Sequence, residues 1–327
     1  MERRVSMADV AGVAGVSGQT VSRVVNGSPR VDPETRRRVE QAMAELDYRP
    51  HRAARALRTG RTDTIGLVVS TLATVGNSRM LQAIAAAAAD RGFALTVVTA
   101  SGRDAVAEGF ARLHEQGVDG AIVLNEATAL ARGVEVPRSL ALVVVDSPPD
   151  DRYVVVQTDH AAGARAATAH LLALGHAAVH HLAGPDGSFA AAERERGWRD
   201  ALAAAGIAAP EPLRGDWSSA SGHAVAAGLP ADATALFAAN DQMALGALRA
   251  LADAGRAVPG EVSVVGFDDV ADAAQYRPPL TTVRQDFDAL GVAAVDALVA
   301  AIGGGPGAPL ALTPVLVERA STAPPPI

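Results

Sequence analysis

The chain has 327 residues, 49% of them hydrophobic, which suffices for two or three domains with their own cores and excludes a disordered protein. Its net charge of −7 hides an asymmetry: residues 1–61 hold 12 Arg against 7 acidic residues, a local +5, leaving −12 on the remainder. Every basic side chain is Arg and Cys is absent, so disulfide and thiolate chemistry are excluded, while a basic head on an acidic body suits contact with a polyanion through one end.

After MERR the chain enters SMADVAGVAGVSGQTVSRVVN, Ser6 to Asn26, rather than an apolar signal segment, and no later stretch is long and apolar enough to span a membrane. A cytoplasmic protein without a membrane partner is expected. Val10, Val13 and Ala14 predict one short amphipathic helix, and Val21, Val24 and Val25 a second. Gly15-Val16-Ser17 breaks the first, and Ser17 is placed to cap the second. Two helices with one apolar stripe each, joined by such a turn, make a helix-turn-helix. The unburied face of the second shows Gln19, Thr20, Ser22 and Arg23, which can bond base edges and phosphates. After the turn Asn26–Pro29, a third helix opens at Asp32 or Pro33, with Val39, Met43 and Leu46 on one side and Arg36, Arg37 and Arg38 near its start.

Next comes Tyr48-Arg49-Pro50-His51 and then RAARALRTGR. Its alanines favour helix, but Leu57 is the one large apolar residue, so this segment should fold only when something receives it. A leucine flanked by Arg55 and Arg58 suits a minor-groove wedge, with a plain linker as the alternative.

From Thr64 strands and helices alternate: IGLVVS, ALTVVTA, GAIVL, LALVVVD and YVVVQTD read as strands between helical stretches, and after Asp159 the rhythm restarts through AVHHLAG, ALFAAN and VSVVGFDD. Strands apolar throughout imply parallel sheets covered by helices, giving two α/β lobes. Ligands bind beyond the carboxyl ends of such strands. There lie Ser70, Asn125, Asp146, Asn240-Asp241 and Asp268-Asp269; helix capping is the competing role, above all for Asn240, Asp241 and Asp269. Hydroxyl-bonding Asp and Asn, with Trp217 or Phe287 to cover an apolar face, fit a neutral carbohydrate. LTPVLVERAS reads as a last strand and TAPPPI as a frayed end.

The strings DVAGVAGVSGQTVSRVVN, AMAELDYRP, ALGH, GDWS, ANDQMALGA, SVVGFDD and PPLTTVRQDF resemble the lactose and galactose repressor family of bacterial transcription regulators, over almost the whole chain. The resemblance implies an α/β protein: a three-helix helix-turn-helix head (1–50), a hinge helix and linker (51–62), and a two-lobed periplasmic-binding-protein-like core with parallel sheets. Its first lobe would be 63–158 plus 285–314 and its second 159–284 plus 315–327. It implies a dimer on a palindromic operator, with Gly18, Gln19 and Arg23 selecting bases, Thr20, Ser22 and Asn26 toward phosphates, and Ser17 within the same DNA-binding set. His51, Ala54 and the wedge Leu57 would complete the DNA-binding set. Gly18 stands where the family's type member has a tyrosine and has no side chain to read a base. In the core, the resemblance implies Asp146, Arg194, Asn240 and Asp268 as sugar-hydroxyl partners, Trp217 and Phe287 as walls, and Ser70 and Asn125 as first-lobe cleft positions. Without it, Arg194 in AAERERGW would read as a solvated surface residue.

These readings predict a repressor released from DNA by a sugar inducer, a galactoside or another disaccharide, with no cofactor. A purine or phosphoprotein corepressor is the alternative within the family, and a transport-type sugar-binding protein is a more distant one. Asp146 and Asp268 could also be a glycosidase's acid and base, a reading that the DNA-binding head disfavours. A metal at His176, His180 and His181 is not expected, because neighbouring His180 and His181 point to opposite faces of a strand. The chain carries no heptad helix for tetramer formation, so a dimer is predicted, and a tetramer by sedimentation at about micromolar concentration would contradict it. Replacing Leu57 with Ala should weaken operator binding and blunt the effector response; unchanged affinity by fluorescence anisotropy would make this segment a tether.

Overall fold

The computed structural model describes residues 5–48 and 60–326, so His51, Ala54 and Leu57 of the hinge expectation lie outside the described residues. The chain forms two compact units, Met1–Thr62 and Asp63–Ile327.

The first unit contains α1 (Met7–Ala14), α2 (Gly18–Val25) and α3 (Pro33–Glu45). Ser6 and Asp9 form a reciprocal capping box on α1, and Gly15, at φ 64°, ends that helix in the left-handed region that glycine reaches without steric cost. Ser17 caps α2 through Thr20 N–H, and Asp32 caps α3 ahead of Pro33. Val10, Ala11, Ala14, Val21, Val24, Val39, Ala42 and Tyr48 share one small core. Val13, expected on the buried stripe, is 50% exposed. At 100° per residue, Val10, Ala11 and Ala14 already cover the face toward α2 and α3, and Val13 turns off it.

The second unit has two six-stranded sheets. The first joins β1 (Thr64–Val69), β2 (Ala94–Thr99), β3 (Gly120–Leu124), β4 (Ala141–Val145), β5 (Val154–Thr158) and β11 (Leu310–Leu312), in the order β11-β5-β4-β3-β1-β2. The second joins β6 (His180–Ala183), β7 (Leu213–Arg214), β8 (Ala235–Ala238), β9 (Ser263–Asp268), β10 (Thr281–Arg284) and β12 (Val315–Val317), in the order β12-β10-β9-β8-β6-β7. All pairings are parallel except β10 with β12. Helices α4 (Val75–Asp90), α5 (Arg103–Glu115), α6 (Glu126–Ala131) and α11 (Phe287–Ile302) accompany the first sheet; α7 (His160–Ala173), α8 (Phe189–Ala204), α9 (Ser219–Ala226) and α10 (Asp241–Asp253) accompany the second. Buried β1, β3 and β4 explain the unbroken apolar runs of the sequence.

Strand membership puts the chain's passages between sheets after β5, after β10 and between β11 and β12. The last strand expected within LTPVLVERAS forms as β12, and β11 just ahead of it is an addition that the sequence pattern does not show. Pro314 has no N–H to give a ladder, and Thr313-Pro314 separates β11, on the first sheet, from β12, on the second. The expected frayed end is corrected as far as Ala323. Ser321 is buried and donates to Val264 O (2.6 Å), and Ala323 exchanges two bonds with the Ser263 hydroxyl.

Among the described residues, no helix is long and apolar enough to cross a membrane. Packing between helices is close: a Cβ at Gly246 of α10 would strike the backbone of Ser219 and His223 in α9, and one at Gly197 of α8 would strike Ala161 of α7. Gly246→Ala therefore should destabilise the second lobe by about 1–3 kcal/mol, since neither backbone can yield. Urea unfolding followed by Trp fluorescence tests this, and an unchanged midpoint would contradict it.

Candidate functional site

Between the carboxyl ends of the two sheets lies a cleft, open at its mouth. The first lobe lines it with Thr74, Gly76, Asn77, Met80, Asn125, Glu126 and Asp146; the second with Ala190, Arg194, Trp217, Asn240 and Asp268. Gln285 and Phe287, on the passage after β10, complete it. Asn125, Asp146, Trp217 and Asp268 have φ of 47°, 52°, 75° and 115°, a conformation that side chains other than glycine seldom take. Such backbone is maintained only where surrounding structure enforces it, and its clustering here makes the cleft the candidate functional site.

The floor is built around Arg194, on the buried side of α8. Its guanidinium donates to Ala239 O and, through Nε, to His160 Nδ1 (3.3 Å), and its Nη2 lies 3.4 Å from Asp268 Oδ1. It stacks 3.9 Å over the Phe267 ring and 5.5 Å from the Trp217 ring. Burial pulls Arg194 below its ordinary pKa, against the attraction of Asp268; burial also raises Asp268, against the attraction of Arg194. The ion pair thus favours the charged form of each. Asp268 Oδ1 accepts from Gln285 Nε2 as well (2.6 Å). Asp146 Oδ1 accepts from Thr158 N–H (3.1 Å) and lies 3.0 Å from His160 Nε2. The Oδ2 atoms of both aspartates take part in none of these bonds, and Asn125 Oδ1 is buried without a partner. Residues with carboxylate and amide acceptors therefore line the cleft from both lobes. Trp217 is seated against Gly184, where any Cβ would collide with the indole.

On the first unit, Ser17, Gly18, Gln19, Arg23 and Asn26 are exposed along one side of α2, while Thr20 and Ser22 are half-buried. The Ser17 and Thr20 hydroxyls bond each other (3.0 Å), and Asn26 Nδ2 donates to Ser22 O (2.5 Å). Arg37 and Arg38 are exposed, whereas Arg36 donates to Ser28 O (2.7 Å) and so fixes the turn after α2.

Residues 6–51 match the bacterial regulatory proteins of the lacI family, and residues 168–322 match the periplasmic binding protein-like domain. The lactose operon repressor of Escherichia coli (strain K12) is 40% identical over 306 residues, covering 90% of this chain and 84% of that protein. The chain belongs to the LacI family. It is a DNA-binding transcriptional regulator, and the relatives it matches are repressors rather than enzymes. Among solved structures, the Lac repressor dimer bound to operator and the anti-inducer ONPF matches with a TM-score of 0.85 at 37% identity, covering 98% of this chain and 100% of that one. A complex of the transcriptional regulator CelR with cellobiose matches at 0.72 and 35% identity, covering 97% and 100%.

Of the eight cleft residues expected from the sequence, this LacI-family core gathers Asn125, Asp146, Arg194, Trp217, Asn240, Asp268 and Phe287 around the cavity. Ser70 does not join them; its hydroxyl donates to Glu126 Oε2 (3.5 Å) at the edge. Asn240 also caps α10: its Oδ1 accepts from Met243 N–H, and its Nδ2 donates to Trp217 O (3.0 Å) and Gln242 Oε1 (3.3 Å). Asp269 pairs with Arg284 and Arg319. Thr74, Gly76 and Asn77, whose loop the sequence comparison ties to the identity of a second sugar or aglycone, do line the cleft, whereas Glu126, Gln285 and His160 carry no periodic signal that marks them. Among the described residues no cluster of His, Cys, Asp or Glu could hold a metal ion. His176 bonds Thr234 Oγ1 and Ala323 O, and His181, stacked on Phe237, bonds Phe237 O. Burial lowers the His181 pKa to about 4.

Beneath the floor, buried Asp241 accepts from Thr282 Oγ1 (2.5 Å) and Val270 N–H (2.8 Å), and burial, with the Asp268 charge second, pushes it up to about 8. Between the ordinary carboxylate value and about 8, the folded chain keeps a proton that the unfolded chain releases, so stability falls as pH rises through that window. Asp241→Asn should flatten this slope in urea unfolding measured across it; an unaltered slope would assign the dependence elsewhere.

Proposed function

We propose that the chain is an operator-binding repressor whose cleft takes a neutral sugar, a disaccharide such as a galactoside or cellobiose, and that the sugar lowers its affinity for DNA. The observation that carries this reading is the floor itself. A buried guanidinium lies between aromatic faces, with carboxylate and amide residues from both lobes lining one cavity. Such a site offers acceptors to several hydroxyls and an indole to an apolar ring face. The relatives support the reading: one solved structure is a CelR complex with cellobiose, another a Lac repressor dimer with operator and anti-inducer.

In this reading Asn125, Asp146, Arg194, Asn240 and Asp268 bind hydroxyls, Trp217 and Phe287 form walls, and Ser70 acts behind Glu126. On the head, Gly18, Gln19 and Arg23 face bases, Thr20, Ser22 and Asn26 face phosphates, and Ser17 caps α2 within the DNA-binding set. Residues 51–62, with His51, Ala54 and Leu57, link a head of residues 1–50 to the core. The lobes are 63–158 plus 285–314 and 159–284 plus 315–327. The working form is a cytoplasmic homodimer that places two heads on palindromic half-sites, joining the nucleoid when bound.

The test is operator binding by anisotropy, on palindromes selected from random DNA, across lactose, cellobiose, other disaccharides and purine bases. A disaccharide should weaken binding by about tenfold or more. Asp146→Asn, nearly isosteric but short of a carboxylate acceptor, should raise the half-effective sugar concentration by roughly tenfold, with sugar-free operator affinity within about threefold. A purine that strengthened binding while every sugar left it unchanged would overturn the inducer assignment.

A further inference from the structure

His160 begins α7, directly after the chain passes from the first sheet to the second, and it is 1% exposed. Its two ring nitrogens face opposite charges on opposite lobes. Nδ1 receives the Arg194 Nε–H at 3.3 Å, and Nε2 lies 3.0 Å from Asp146 Oδ1. Arginine only donates, so Nδ1 must present its lone pair, and the ring proton sits on Nε2, which lies beside the carboxylate without a hydrogen bond to it. Phe189, edge-on at 6.5 Å, and Phe267, at 6.0 Å, hold the ring between them.

We propose that His160 is a positioning residue of the effector cleft, in which the neutral Nε2–H tautomer aligns Arg194 of the second lobe with Asp146 of the first. The ring completes a buried sequence of polar groups across the floor: Asp146, His160, Arg194, Asp268 and Gln285. Without its Nδ1, the Arg194 Nε–H has no acceptor here, and the guanidinium is free to rotate away from Asp268. Without its Nε2–H, Asp146 loses a polar neighbour 3.0 Å away, and the two lobes lose that close approach beneath the ligand. Effector affinity then depends on a side chain that does not line the cavity. This role rests on the sugar-effector reading above, but the tautomer does not.

Two measurements test it on the full-length protein. Long-range 1H–15N correlation of 15N-histidine-labelled protein near pH 7, with His160 assigned by its loss in His160→Asn, should show a neutral ring protonated on Nε2. A ring protonated on Nδ1, or on both nitrogens, would overturn the proposal. Titration with lactose and cellobiose, followed by Trp fluorescence, supplies the second measurement. His160→Phe fits between the two phenylalanines but offers no polar atom, and it should weaken sugar binding by roughly tenfold or more. His160→Asn keeps an acceptor near the Nδ1 position and should recover part of the loss. Wild-type affinity in His160→Phe, or equal loss in both variants, would make the ring simple packing and overturn the role. If the tautomer is as predicted but the wild-type protein binds neither these sugars nor the wider panel, the effector reading fails, and this role in effector binding fails with it.

Discussion

A cation withdrawn from water is the constraint around which the core is arranged. Arg194 is almost fully buried, and an isolated charge there would cost several kcal/mol. Its surroundings answer that cost from four directions: Asp268 at the end of β9, Ala239 O after β8, His160 at the start of α7, and the Phe267 ring. Each group lies at the carboxyl end of a strand or just beyond one. Satisfying the guanidinium therefore fixes the relative positions of the strand ends, and the cleft is the space above them. Breaking one member would leave a buried charge unpaired, so the floor acts as a unit.

The two lobes meet over this floor in a way that lets a ligand act on both. Their sheets are separate, and the chain passes between them after β5, after β10 and at Thr313-Pro314. Polar links bridge them near the cavity. At the mouth, Val75 N–H, at the first turn of α4, donates to Gln242 Oε1 (3.4 Å), which also accepts from Asn240 Nδ2. Beneath the cavity, His160 lies between Asp146 and Arg194. A sugar that bonded Asn125 and Asp146 together with Asp268 would add a third link, and its differential affinity for two lobe arrangements would be the coupling energy available to an operator.

Much of this was legible in the sequence because strand ends in parallel sheets have a defined chemical meaning. Asn125, Asp146 and Asp268 follow apolar runs, and their side chains come to one cleft. Ser70 follows such a run too, but its short hydroxyl reaches Glu126 and stops at the cleft edge. Arg194 illustrates the limit of local reading. Glu193, Glu195 and Arg196 surround it in sequence and do form ion pairs on α8, so the helix reads as a charged surface; only its rotation about the axis sends Arg194 inward. The family resemblance supplied what charge pattern could not. His160 and Gln285 left no comparable signal, being single polar residues beside passages between sheets, where neither helical nor strand period applies. Helix α6 and strand β7 are too short for a periodic pattern, and the docked tail depends on bonds to Ser263, Val264 and His176 far away in the chain.

In the proposed function the head and the core divide the work of regulation: the exposed side of α2 determines where the protein acts, and the cleft determines when. Such a division requires reciprocal binding energies, since a sugar that weakens operator binding must itself be weakened by operator. The most direct measurement is calorimetric titration of the full-length protein with its most effective disaccharide, first alone and then saturated with its selected operator. Sugar binding should be weaker in the operator complex, by the same factor by which saturating sugar lowers operator affinity. Equal or tighter sugar binding in the operator complex would contradict it.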